Sequence, residues 1–382
     1  MSQGTLIGID QLVLGATTTC DLLDLDGRVA VSTGTPITPH LLSRIKSAGI
    51  IGLIAGRPDY AGHHVTSSRP SIDVIASRIS EMQRRSGITG SLKSPAGKFS
   101  RQMLSETYTK IASGGLPDVD ILDTVVARIL HETELDRISP LPVPRQSHDT
   151  LVERLVDGAI DTAILMGWHM KKIGESHDMC RAATLGGLLH DIGLLFMPHK
   201  TINCTGSLSL SDRREIRRHP YLGIRALSPL GDRIPKPAQE IILLHHERMD
   251  GKGYPFGRSG KSIPKVARLA HIIDAYTALV SPRPHRSSMF PHQAISILLR
   301  DSGSGFCRNT LREFISRTGR YPLGSAVVLS SNEVGVVVGI GNGGPFKPVV
   351  DVYFSKHHQF SQTPQRIDLS SEPMRYVRHV MR

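Results

Sequence analysis

The chain has 382 residues, enough for two or three domains of ordinary size. Its 39% hydrophobic and 21% charged residues exclude a disordered chain, and no apolar run reaches the length of a bilayer crossing. The net charge of +12 favours anionic partners, but the cations are dispersed and aromatics make up only 5%, which argues against a stacking platform for single-stranded nucleic acid.

The opening residues, Met-Ser-Gln-Gly-Thr-Leu-Ile-Gly-Ile-Asp, lack the basic start and long apolar core of a secretion signal. Cys20, Cys180, Cys204 and Cys307 form no C-x-x-C and are too scattered for a disulfide framework, so a reducing cytoplasm is expected.

Residues 1–56 are expected to form a small α+β unit. Leu22 to Val31 reads as two short strands around an Asp26-Gly27 turn, Thr38 to Gly49 as a helix capped by Thr38, and Ile50 to Ile54 as a buried strand. Residues 57–118 are rich in Ser, Gly, Arg and Pro and read as a linker with some helix, flexible from Gly87 to Ser100. Pro117 to Asp136 has helical periodicity through Ile121, Val125, Ile129 and Leu130, and a helical domain is expected over 119–320. Its helices are predicted at Leu151 to Ile173, Met179 to Leu195, Asp212 to Arg218, Pro220 to Leu227, Pro237 to Arg248, Pro264 to Val280 and Pro291 to Arg300. Four of them start at a proline, where the missing N–H costs nothing. From 321 to 382 the period changes to that of strands, predicted at Gly324 to Leu329, Val334 to Ile340 and Pro348 to Phe354.

Four places in the helical region present metal-ligand chemistry. His190-Asp191 follows an apolar run and offers an imidazole and a carboxylate at one helix end, and a carboxylate with two oxygens can bridge two cations. His219 stands before Pro220, His245-His246 form an adjacent pair followed by Glu247, and Asp274 interrupts an apolar helix. Each has an ordinary alternative: a His before Pro is more often a cap or a surface residue, and an Asp on an apolar face can be half of an ion pair. Chance does not readily supply all four in this order.

The segment His245-His246-Glu247-Arg248-Met249-Asp250-Gly251-Lys252-Gly253-Tyr254-Pro255 resembles the hallmark of HD-GYP domains. His190-Asp191-Ile192-Gly193, Met197-Pro198, His219-Pro220, Gly223, Ile263-Pro264, Ala267-Arg268, Asp274, Ala278-Leu279 and Arg283-Pro284 follow in that family's order, so the resemblance covers roughly residues 150 to 300. It implies a mainly α fold: an all-helical HD-domain bundle, with the small α+β unit before it and a short β extension behind. It implies an enzyme, a cyclic di-GMP (or related cyclic nucleotide) phosphodiesterase using a metal-activated hydroxide, with two or more divalent ions, Fe or Mn preferred and Zn acceptable. His190 and Asp274 would bind one metal and His219 and His245 the other, Asp191 would bridge them, and His246 would complete the second site or a third. Adjacent helical residues diverge by about 100°, so His245 and His246 can face one centre only if their helix ends there. Arg283 and Arg286 match positions that anchor phosphate. The Gly253-Tyr254-Pro255 loop resembles a docking surface for diguanylate-cyclase-type partners, and a homodimer is a further candidate assembly.

Departures from the family bear on activity. The lysine that follows the Gly of the His-Asp-x-Gly motif is here Leu194. The family's upstream His has no counterpart, and Asp157 and Asp161, on one helix face, are the candidates to replace it as oxygen ligands. His169 and His177 are weaker candidates near the turn between helices. A family Asp is Thr277, and a family Tyr is His285. The competing reading is therefore a catalytically weakened domain serving as a signalling or interaction module.

Overall fold

The structure is a computed structural model that describes residues 5–8, 12, 14–18, 20–23, 29–47, 52–55, 89–90, 95–134, 138–139, 150–202, 209–281, 289, 291–321, 323–356 and 359–381. It divides into two compact units, Met1–Glu81 and Met82–Arg382.

In the first unit, strands β1 (Thr5–Gly8), β2 (Leu22–Leu23), β3 (Val29–Val31) and β4 (Gly52–Ala55) form an antiparallel sheet in the order β1-β4-β2-β3. Helix α1 (Pro39–Ser47) is capped as expected, the Thr38 hydroxyl accepting from Leu41 N at 3.1 Å. Leu22, Val31, Ile37, Leu41 and Ile45 form the core of this α+β unit. The expected Asp26-Gly27 turn lies outside the described residues.

The second unit begins with strand β5 (Thr89–Gly90) and helices α2 (Pro95–Ala112) and α3 (Val119–Glu134), and β6 (Ile138–Ser139) pairs in parallel with β5. Helix α2 corrects the flexible-linker reading of Gly87 to Ser100, since it starts at Pro95. Leu104, Tyr108 and Ile111 make a buried helical stripe, whereas Lys98, Arg101, Gln102, Glu106, Thr109 and Lys110 lie on the exposed face. Helix α4 (Leu151–Lys172) opens with a capping box between Thr150 and Glu153 and is buried over most of its length. It packs against α5 (His177–Leu189) so closely that a Cβ on Gly187 would come within 2.7 Å of Ala163 Cα.

The expected helix from Met179 to Leu195 is two elements. Helix α5 ends at Leu189, and a 3-10 turn covers Ile192–Phe196. Helices α6 (His199–Ile202), α7 (Leu210–Ile216), α8 (His219–Leu227), α9 (Lys236–Leu244), α10 (Lys265–Val280), α11 (Pro291–Arg300) and α12 (Arg308–Thr318) complete the helical body. Helix α9 stops four residues before the expected Arg248, because the backbone turns at His245 and Glu247 N bonds back to Leu244 O at 3.0 Å. No helix among the described residues is long and apolar enough to cross a membrane.

Behind the helices, β7 (Ala326–Leu329), β8 (Val334–Ile340), β9 (Pro348–Phe354), β10 (Phe360–Asp368) and β11 (Val377–Val380) form an antiparallel sheet in the order β10-β9-β8-β7-β11. The last two strands escape the sequence reading because β10 is polar and largely exposed and β11 is short. The overall architecture is the expected mainly α body with a β extension.

Candidate metal centre

Three helix ends and one helix middle bring the candidate ligands together. His190 caps the C-terminus of α5, and Asp191 follows it, outside helical geometry, at the start of the 3-10 turn. The preceding turn is tied down by Tyr108 of α2, whose hydroxyl donates to Leu188 O at 2.6 Å. Burial, and then the charge of Asp191, push the Tyr108 pKa up, so this donor stays protonated.

His219 is the first residue of α8. A side chain on Gly193 would overlap the His219 carbonyl oxygen and approach Gly223 N at 2.7 Å, so the bare glycine lets the His-Asp turn sit directly on the start of α8. His245 and His246 follow the end of α9, which resolves the divergence expected of neighbouring helical residues. His271 of α10 donates from Nδ1 to His245 O at 2.8 Å and fixes this turn. Asp274 projects from the middle of α10, flanked by buried Ile272, Ile273 and Tyr276.

His190 Nε2 lies 3.4 Å from Asp191 Oδ2 and 3.7 Å from Asp274 Oδ1. His219 Nε2 is 3.3 Å and His245 Nε2 3.7 Å from the other oxygen of Asp191. His246 Nδ1 stands 3.8 Å from Asp274 Oδ2. Two groups of possible ligands result, His190, Asp191 and Asp274 in one and Asp191, His219, His245 and His246 in the other, with Asp191 common to both.

The backbone fixes the tautomers. The Nδ1 atoms of His190, His219 and His245 lie 2.9 Å from Gly187 O, 2.8 Å from Ile216 O and 3.0 Å from Ile241 O. A carbonyl oxygen only accepts, so each Nδ1 carries the hydrogen and each Nε2 points inward, where it offers a lone pair once it holds no proton, the orientation of a metal-ligating histidine. The Nε2 atoms of His219 and His245 face each other at 3.3 Å, an approach of two lone pairs that a cation between them would stabilise.

Charge follows the same plan. Burial opposes ionisation of Asp191 and Asp274, yet the surrounding imidazoles outweigh it and hold both carboxyls below their ordinary range. His219 is lowered to about 4 and His246 well below its usual value, in both cases chiefly by burial, so these rings are neutral at physiological pH. Burial also disfavours charge on His190, but Asp191 and Asp274 overcome it and push the ring up to about 9. Two carboxylates facing one another among imidazoles favour positive charge between them. The donor set, two carboxylates and four imidazoles, suits divalent cations.

The other candidates stand outside the two ligand groups among the described residues or lie beyond those residues. Asp157 is buried and pairs with Arg101 Nε at 2.8 Å, and Asp161 is buried near Tyr276, whose hydroxyl is pushed up first by burial and then by the Asp161 charge. Neither belongs to the two ligand groups among the described residues. His169 is buried, its ring 6.5 Å from that of Trp168 and 6.1 Å from that of Phe314, and His177 is exposed at the start of α5. Thr277 bonds its own helix, donating to Asp274 O at 2.9 Å. Leu194 is half-buried against the main apolar core. Arg283, Arg286 and His285 lie outside the described residues.

Several supporting residues are not visible in the sequence as such. Glu247 is buried, and its two oxygens accept from Phe256 N at 2.8 Å and Arg258 N at 2.9 Å, closing the Gly253-Tyr254-Pro255 loop. The loop places the Tyr254 ring in a stack on His246, centroids 4.6 Å apart, with an edge approach to His219 at 6.2 Å. The charged residue beside the His pair was the available signal for Glu247. The stacking of Tyr254 and the bond from Tyr108 depend on tertiary contacts alone.

Residues 153–309 match a family model described as an HD domain. The chain is 35% identical over 191 residues to a cyclic di-GMP phosphodiesterase of Pseudomonas aeruginosa, covering 50% of this chain and 46% of that protein. It is 32% identical over 136 residues to the cyclic di-GMP phosphodiesterase response regulator RpfG of Xanthomonas campestris pv. campestris, covering 36% of each. It is 32% identical over 139 residues to a 3'3'-cGAMP-specific phosphodiesterase of Vibrio cholerae, covering 35% of this chain and 31% of that protein. The chain thus spans less than half the length of each of these relatives.

Proposed function

We propose, on the premise that residues 153–309 belong to the HD domain family, that the chain is a metal-dependent phosphodiesterase of the HD-GYP kind acting on cyclic di-GMP. The observation that carries this reading is the position of Asp191. One carboxylate oxygen is 3.3 Å from His219 Nε2 and the other 3.4 Å from His190 Nε2, so a single side chain serves both ligand groups.

In this reading His190 and Asp274 would hold one divalent ion and His219, His245 and His246 a second, with Asp191 available to both. Fe or Mn is preferred and Zn is compatible with the same ligands. Bound there, the ions supply the positive charge that polarises a phosphodiester and makes water a competent nucleophile at neutral pH. The chain's own part is to keep Asp191 and Asp274 ionised and His219 and His246 neutral, and to aim three Nε2 atoms inward through backbone acceptors. Arg283 and Arg286 are proposed to anchor the substrate phosphates. The protein acts in the cytoplasm, Gly253-Tyr254-Pro255 serves as a docking loop for a diguanylate-cyclase-type partner, and a homodimer is the candidate assembly.

The test is metal content of the purified protein followed by turnover of cyclic di-GMP and of 3'3'-cGAMP. Two or more ions per chain and hydrolysis abolished by Asp191→Asn are expected. A protein free of transition metal after reconstitution, or one whose hydrolysis survives Asp191→Asn, overturns the reading. One observation favours the second reading, a weakened enzyme used as a signalling module: Leu194 places an apolar side chain where the family carries a cation. Full metal loading with no turnover of either dinucleotide would select it.

A further inference from the structure

Several cations of the helical body are committed to acidic partners. Arg101 is bound to Asp157, and Arg218 pairs with Glu215 at 3.1 Å. Arg248 is clamped between Asp250 at 3.0 Å and Asp301 at 2.9 Å. Leu194 offers none. Arg217 differs from all of these. It is exposed, has no acidic partner among the described residues, and holds its guanidinium 5.4 Å from the centroid of the Tyr254 ring.

That ring is the one stacked on His246 at 4.6 Å, so the guanidinium carbon lies no more than about 10 Å from the His246 ring. The backbone is fixed as well. Arg217 caps the C-terminus of α7, its N–H bonding to Arg213 O at 3.2 Å, and stands two residues before His219. A guanidinium laid on an aromatic face keeps its N–H edges turned outward in one plane, the fork that fits a phosphate.

We propose that Arg217 is a substrate-binding residue that holds the phosphate of a cyclic dinucleotide that is not being attacked. The inference rests on the phosphodiesterase reading. Cations at Asp191 would neutralise the attacked diester, whereas the second phosphate of the same ring, displaced from the centre by a sugar, needs a separate positive charge. Arg217 is that charge, held beside the centre by the Tyr254 ring. The arrangement gives Tyr254 a second task, since it links a metal-site histidine to the distal anion site.

The experiment compares two diesters on the metal-loaded full chain: cyclic di-GMP, with two phosphates, and bis(4-nitrophenyl) phosphate, with one. Arg217→Ala is expected to raise KM for cyclic di-GMP with little change in kcat, lowering the preference for the dinucleotide over the single diester on the order of 10- to 100-fold, the loss of one charge-assisted hydrogen bond. Arg217→Lys, which keeps the charge but not the flat fork, should recover part of the loss. Equal losses on both substrates, loss of metal from Arg217→Ala, or an unchanged KM for cyclic di-GMP overturns the proposal. If the unmodified protein turns over neither diester, the phosphodiesterase reading fails separately, and calorimetric titration with cyclic di-GMP then decides: an affinity equal in the parent and Arg217→Ala, or absent in both, overturns the role of Arg217.

Discussion

Replacing Glu247 by Gln isolates what holds the loop over the metal centre. The two carboxylate oxygens divide the work, Oε1 accepting from Phe256 N at 2.8 Å and Oε2 from Arg258 N at 2.9 Å. An amide keeps one acceptor but presents an N–H₂ to the other backbone N–H, so one charge-assisted bond is lost and a donor meets a donor in a buried place. A hydrogen bond to a charged group contributes about 1.5–3 kcal/mol, and the remaining bond weakens because the acceptor becomes neutral. The loop should therefore open more easily by about 2–3 kcal/mol, on the order of 30- to 150-fold in local exchange. Amide hydrogen exchange of Phe256 and Arg258 reads this directly, with amides in the buried α4 helix as the internal control. Metal content should stay at the parent value, because Glu247 spends both oxygens on the backbone. Unchanged exchange at both amides would refute the reasoning, and lost metal with an unchanged loop would make Glu247 a ligand instead.

Leu194→Lys restores the cation of the family pattern; turnover of cyclic di-GMP should rise, by up to about 10²-fold, with little change in binding, and a steady-state comparison with the parent checks it. His169 is buried and its pKa is lowered to about 4, first by burial and then by Arg317 and Lys265, so the unfolded chain takes up a proton between its ordinary pKa and 4 that the folded chain refuses. That contribution to stability is complete above pH 6.5 and declines as pH falls toward 4; His169→Leu should reduce the loss of unfolding free energy between pH 7.5 and 5 by about 2 kcal/mol in urea titrations. Asp157→Ala should leave metal stoichiometry unchanged while lowering the melting temperature, because it strands Arg101 rather than opening a ligand position.

The chemistry of the centre was more legible in the sequence than its framework. His190-Asp191, His219-Pro220, His245-His246 and Asp274 carry distinctive side chains, and the resemblance to HD-GYP domains that they support implied how they group. The break between α5 and the following turn was hidden because Leu188, Leu189, Ile192, Leu194 and Leu195 continue the apolar run on both sides of His190-Asp191. Helix α2 was obscured by the polar residues of its exposed face, while the few apolar positions that bury it, Leu104, Tyr108 and Ile111, carry its packing. The pairing of Asp157 with Arg101 spans 56 positions and has no local signature. Stacking of Tyr254 on His246 depends likewise on how the loop folds back, which Glu247 and the backbone bond from Tyr254 N to His246 O at 3.2 Å determine together.

The contact between Gly193 and the start of α8 separates two properties of the centre that side-chain chemistry usually mixes. The gap between the His-Asp turn and His219 is spanned by main chain meeting main chain, so the aperture of the centre is a dimension of the scaffold. Donor identity can then change without altering that aperture: an imidazole exchanged for a carboxylate at position 219 or 190 would retune metal preference inside an unaltered frame. A methyl group at position 193 would do the reverse, keeping every donor and prising them apart. Metal preference could therefore be altered by trading ligands, provided this one position remains without a side chain.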